Sequence, residues 1–214
     1  MDKPVAVLFD FDGVVMDTET QYSVFWDEQG LKYQKGENFD SKIKGQTLTQ
    51  IFDNYFPGEL DIQKQIENDV DEFEQHMQYD YFPGFEDFFK DLQENNVKTA
   101  LVTSSNEKKM SIVYRVHPEL KTRFDVILTA DSFTRSKPDP ECFLLAMEKL
   151  NTIPKQTFVF EDSFHGLQAG KASGATVIGM ATTNPREVIE SKADHVLDSF
   201  FNMNYSKLLA LLNR

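Results

Sequence analysis

Val5-Ala6-Val7-Leu8-Phe9 is an unbroken apolar run that stops at Asp10-Phe11-Asp12-Gly13. Such a run reads as a strand buried on both faces, followed by a turn. The period then becomes helical: Asp17 or Thr18 can cap a helix with Tyr22, Phe25 and Trp26 on one face and Gly30 as its stop. A second helical stretch carries Ile51, Phe52, Tyr55 and Phe56 and ends at Pro57-Gly58. The third has the cleanest spacing, with Ile62, Ile66, Val70, Phe73 and Met77 at steps of four, four, three and four. No strand signal interrupts residues 16–79.

After Pro83-Gly84 the pattern alternates. A helix with Phe85, Phe88, Phe89 and Leu92 leads into the strand Ala100-Leu101-Val102, and a helix around Asn106 to Val116 into Val126-Ile127-Leu128. A helix bearing Cys142, Phe143, Ala146, Met147 and Leu150 precedes Phe158-Val159-Phe160, and a small-residue helix ending at Gly174 precedes Thr176-Val177-Ile178. A short helix, the weak strand His195-Val196-Leu197 and a helix through Leu208 and Leu212 follow. Strands alternating with helices of this length predict an α/β protein with right-handed crossovers and an open parallel sheet. The expected organisation is an α/β core of residues 1–15 and 80–214 with a helical cap, residues 16–79, inserted after the first strand. Tyr79, Tyr81 and Phe82, at the junction, read either as hinge packing or as a partner surface.

Composition narrows the class. The 214 residues are 40% hydrophobic and include 19 Phe, ample for a packed core. A net charge of -13 argues against a surface built for nucleic acid or anionic lipid, which would need lysine and arginine against phosphates. The single Cys142 excludes an internal disulfide, and the apolar run Val5 to Phe9 is too short for a signal peptide or a membrane span. A cytoplasmic monomer is the expectation.

In an open parallel sheet, ligands bind beyond the carboxyl ends of the strands. Here those ends carry Asp10 and Asp12, then Thr103 and Ser104, then Glu161 and Asp162, with Lys137 in the loop after the third strand. Taken singly, each has a plain reading: a turn for Asp-x-Asp-Gly, a helix cap for Thr103-Ser104-Ser105, a solvated charge for Lys137, helix-end acids for Glu161-Asp162. Together they meet the needs of phosphoryl transfer, which rests on positioning and charge neutralisation. Asp10 could attack phosphorus, Asp12 could shuttle a proton, Asp10 and Asp162 suit magnesium, and Lys137 could hold the phosphoryl group.

The stretch Phe9-Asp10-Phe11-Asp12-Gly13-Val14-Val15-Met16-Asp17-Thr18, with Leu101-Val102-Thr103, Ser136-Lys137-Pro138-Asp139-Pro140 and Phe160-Glu161-Asp162-Ser163, resembles in order the four motifs of the haloacid dehalogenase superfamily. The subgroup it resembles contains β-phosphoglucomutase and small sugar-phosphate phosphatases. The resemblance implies a Rossmann-like core, Asp10 as nucleophile, Asp12 as general acid/base, and Thr103, Ser104 and Lys137 around the phosphoryl group. It also implies Mg2+ held by Asp10, the Asp12 carbonyl and Asp162, with Glu161 a ligand or the support of one. Asp12 separates the chain from the dehalogenases themselves, which typically lack it.

Choosing between hydrolase and mutase falls to the insert. Tyr22 stands roughly where the mutases carry a histidine, and residues 16–79 contain no arginine to grip a second phosphate. Lys42 and Lys44 are candidate anion contacts, with Lys44-Gly45 the candidate substrate-facing pair, while His76 reads as a surface residue. A lysine does not reproduce a bidentate arginine clamp. Hydrolysis of a small phosphorylated metabolite is therefore the expected activity, with a β-phosphoglucomutase-type mutase as the alternative. A non-catalytic binding module is disfavoured because it would not need both Asp10 and Asp12.

Overall fold

The structure, a computed structural model, describes residues 4–212. The outermost residues of the expected core, 1–3 and 213–214, lie outside the described residues. Six strands, β1 (Ala6–Phe9), β2 (Lys98–Val102), β3 (Val126–Leu128), β4 (Thr157–Glu161), β5 (Thr176–Met180) and β6 (His195–Leu197), form one parallel sheet in the order β3-β2-β1-β4-β5-β6. β1 is central and wholly buried, as its unbroken apolar run requires. Phe9 lies level with Leu101 on one side and Phe160 on the other, so Asp10 leaves the sheet between the ends of β2 and β4. Strand order reverses there, which opens a crevice at that edge.

Alternate side chains of each strand face opposite layers. Val7, Phe9, Leu101, Phe158 and Phe160 pack against α5 (Phe85–Glu94), α6 (Glu107–Val116) and α11 (Tyr205–Leu211). Phe9 stacks on Phe160 at 5.1 Å between centroids and meets Phe85 edge-on at 5.5 Å. Ala6, Leu8, Ala100, Val102 and Val159 face α8 (Glu141–Lys149) and α9 (Phe164–Ser173). The one-turn helices α7 (Leu120–Arg123) and α10 (Arg186–Ile189) complete the layers; α7 is too short to leave a readable period.

Residues 16–79 fold as α1 (Glu19–Lys32), α2 (Phe39–Ile43), α3 (Leu48–Tyr55) and α4 (Leu60–His76) around a separate cluster of Phe25, Trp26, Phe39, Ile51, Phe56 and Ile66. Two local expectations fail here. Gly30 does not stop α1, which runs on to Lys32; a Cβ at Gly30 would lie 2.4 Å from the Cβ of Phe39, so this glycine lets two helices touch. α2, five residues long, contributes too few apolar positions to be seen as a period. At the junction, Tyr79 is buried and Tyr81 stacks on Phe85 at 5.6 Å, so the junction aromatics are packing rather than open surface. Among the described residues no helix is long and apolar enough to cross a membrane.

Candidate active site

Asp10 follows β1 directly, with its backbone N–H donating to the Phe160 carbonyl at 3.0 Å. Opposite it, the ammonium of Lys137 is fully committed within the protein: it donates to Asp10 Oδ1 at 2.6 Å, Glu161 Oε1 at 2.7 Å and the Val102 carbonyl at 3.1 Å. Lys137 is 1% exposed; burial opposes its charge, but Asp10 and Glu161 hold its pKa above the ordinary lysine range. Glu161 is engaged at its other oxygen too, where Oε2 accepts from the Asp162 and Ser163 N–H groups and the Ser163 hydroxyl. That carboxylate is a support for Lys137, and the space it fills exists because residue 166 is glycine.

Asp12 is gripped equally fully. Its Oδ1 accepts from Thr18 Oγ1 at 2.6 Å and Lys109 Nζ at 2.6 Å, and its Oδ2 from Ser105 Oγ at 2.9 Å and Lys109 Nζ at 2.5 Å. Thr18 precedes α1 but makes no side-chain bond to the helix end; its hydroxyl serves Asp12 instead. The cap reading of Thr103-Ser104-Ser105 is likewise displaced, because Asn106 caps α6 by accepting from the Lys109 N–H. Thr103 is buried beside the cavity, and Ser104 donates to the Gly45 carbonyl at 3.3 Å.

Asp162 completes an acidic triad: single carboxyl oxygens of Asp10, Glu161 and Asp162 all lie within 4.8 Å of one another. Burial, with Glu161 and Asp12 adding repulsion and Lys137 opposing, pushes the Asp10 carboxyl up to about 8. Burial together with Glu161, Glu19 and Asp10 pushes Asp162 well above the carboxylate range. These carboxyls thus stand closer together than their neighbouring cation can balance, and the donors are all oxygen. Such a set fits a hard divalent cation. The loop after β5 braces it, as Asn184 Nδ2 donates to the Asp162 carbonyl at 2.9 Å and Thr182 Oγ1 to the Gly13 carbonyl.

Asp10, Asp12, Thr103, Ser104, Ser105, Lys109, Lys137 and Asp162 border a cavity of about 650 Å³ roofed by the helical insert, while Glu161, Thr18, Thr182 and Asn184 support them from behind its wall. From the insert come Glu19, Tyr22, Ser23, Trp26, Asp40 and Lys44. Lys44 lies against Asp40 at 3.3 Å and Glu19 at 3.9 Å. Tyr22 donates to Glu74 at 2.8 Å, while Lys42 points to the Lys35 carbonyl and His76 is exposed on α4. Insert and core also meet directly: Gln50 Nε2 donates to the Lys137 carbonyl at 3.0 Å and His165 Nδ1 to the Lys44 carbonyl at 3.1 Å. Gly45 adopts φ +76°, and a Cβ there would lie 2.5 Å from Ser163 Oγ.

Residues 7–180 match the model of the haloacid dehalogenase-like hydrolases. The chain belongs to that family. A phosphorylated carbohydrates phosphatase of Thermotoga maritima is 32% identical over 177 residues, covering 79% of this chain and 81% of the relative. Among solved structures, a family IA variant 3 hydrolase of Entamoeba histolytica superposes with TM-score 0.83 at 23% identity, covering both chains fully. A β-phosphoglucomutase of Clostridium difficile superposes with TM-score 0.78 at 22% identity, over 100% of this chain and 98% of its own. Both likenesses speak to the shared fold of this hydrolase. Sequence reasoning missed the parts played by Lys109, Ser105, Thr18 and Asn184: Thr18 and Ser105 stood in the stretches it singled out but read as helix caps, and Lys109 and Asn184 carried no signal.

Proposed function

We propose that this hydrolase cleaves small phosphate monoesters through an aspartyl phosphate on Asp10, using magnesium. The observation that carries the reading is the meeting of Asp10 and Asp12 in one cavity, each held in a fixed orientation by its own lysine. Asp10 attacks phosphorus, the leaving oxygen takes a proton from Asp12, and Asp12 then takes a proton from the water that cleaves the acyl phosphate. Lys137 orients Asp10 and sets positive charge beside the phosphoryl oxygens, and Thr103 with the Ser104 backbone would bind that group. Asp10, the Asp12 carbonyl and Asp162 would hold magnesium, which would supply charge neutralisation for the transferring phosphoryl group. Glu161, with both oxygens engaged, holds Lys137 in place.

Residues 16–79 are read as a cap that keeps bulk water from the site. The insert holds 14 acidic and 5 basic side chains and no arginine, and Lys44 faces two carboxylates. Such a wall favours a singly phosphorylated, hydroxyl-rich metabolite over a bisphosphate, and hydrolysis over phosphomutase action. The test is a screen of small phosphate esters with magnesium, including both anomers of glucose 1-phosphate with a trace of bisphosphate. Phosphate release that chelator and Asp10→Asn both abolish is expected. Glucose 6-phosphate forming faster than phosphate would replace the hydrolase with the mutase.

A further inference from the structure

Lys109 follows Lys108, which is exposed and reaches Asp71 of α4, yet Lys109 itself is 3% exposed. Withdrawing an ammonium from water is unfavourable unless close partners replace the hydration. Its hydrogen-bond partner is Asp12, and the ammonium also lies 5.4 Å from the ring centre of Phe11 and 4.6 Å from that of Tyr22. A carboxylate offers about four acceptor directions. Lys109 takes two of them with an ammonium that can only donate, whereas Thr18 and Ser105 take one each through hydroxyls that can turn to accept when the carboxyl carries a proton. Among the described residues only Lys109 bridges both oxygens, so it sets the plane of the carboxyl group rather than the place of one atom.

The Tyr22 ring belongs to α1 of the insert, and its hydroxyl is anchored on Glu74 of α4. Asp12, Lys109, Tyr22 and Glu74 thus form a continuous chain from the core to the far helix of the insert. We infer that Lys109 is a positioning residue for Asp12, orienting its carboxyl group for proton transfer and tying that orientation to the docked insert. The inference rests on the reading of Asp12 as general acid/base.

Two substrates separate positioning from mere packing. p-Nitrophenyl phosphate expels a phenolate that needs no proton, whereas an alkyl phosphate, the best from the screen above, needs one from Asp12. The readouts are the pre-steady-state burst of nitrophenolate and the single-turnover release of the alcohol, with melting curves alongside. Asp12→Asn is expected to slow alcohol release by about a hundredfold or more and the nitrophenolate burst by less than about threefold. Lys109→Met should reproduce that selectivity at about 10- to 100-fold, with partial recovery in Lys109→Arg, which restores a donor to both oxygens. Tyr22→Leu, which removes the ring but no charge, should shift the same ratio in the same direction by about threefold to tenfold; it keeps the comparison open should Lys109→Met not fold. Equal slowing of both substrates by the Lys109 variants, or slowing of neither, overturns the positioning role. If Asp12→Asn itself shows no selectivity, the acid/base reading fails first and takes this inference with it.

Discussion

Helix propensity alone makes Gly166→Ala a stabilising change, because Gly166 lies inside α9 and alanine is favoured there by about 1 kcal/mol. The structure reverses the sign. A Cβ at position 166 would fall 1.8 Å from Cδ and Oε1 of Glu161 and 2.1 Å from its Oε2. Reaching even a 3.0 Å contact would require the carboxylate to move by at least the difference from 1.8 Å, more than an ångström. That carboxylate has no slack: it is paired to Lys137 at 2.7 Å and accepts three further bonds from Asp162 and Ser163, and Lys137 is itself tied to Asp10 and the Val102 carbonyl. Breaking a buried ion pair costs about 3–5 kcal/mol. Set against the propensity gain, the net destabilisation is about 2–4 kcal/mol. For a chain of this size that lowers Tm by roughly 4–16 °C. An ångström of misplacement at Lys137 should also cut kcat by about a hundredfold. Differential scanning calorimetry and a steady-state assay read both quantities; a Tm at or above that of the parent, with unchanged kcat, would refute the argument that Glu161 needs a bare α-carbon beside it.

The brace on Asp162 predicts that Asn184→Ala raises the magnesium concentration for half-maximal activity by about tenfold without changing the melting curve of the metal-free protein, and an unmoved metal titration counts against the brace. Burial, with Asp12 adding and Lys44 and Lys109 opposing, raises Glu19 from 4.5 to about 7. Between those values the folded chain holds a proton the unfolded chain has released, so stability falls as pH rises through this window. Glu19→Gln removes that dependence, so with chelator present its Tm relative to the parent should be more favourable at pH 8 than at pH 4.5; the same offset at both pH values would contradict it.

Much of this hydrolase was legible in the order of its residues. Val5 to Phe9 had to be a central strand because an unbroken apolar run needs cover on both faces, and the alternation after Pro83-Gly84 required a parallel sheet. From that alone, Asp10, Asp12, Thr103, Lys137 and Asp162 belong to a single edge, and one cavity gathers all of them. The same logic could not reach Lys109, which is 97 residues from Asp12 and sits in a helix whose pattern marks it as one more surface lysine. Nor could it distinguish Gly30 and Gly166, where helices meet or a carboxylate is housed, from glycines that end a helix. Periodicity records which face of an element is buried, because that is a local consequence of backbone geometry. Which charge a buried group faces, and how closely two backbones approach, depend on elements brought together from distant parts of the chain. Only the packed tertiary structure decides them.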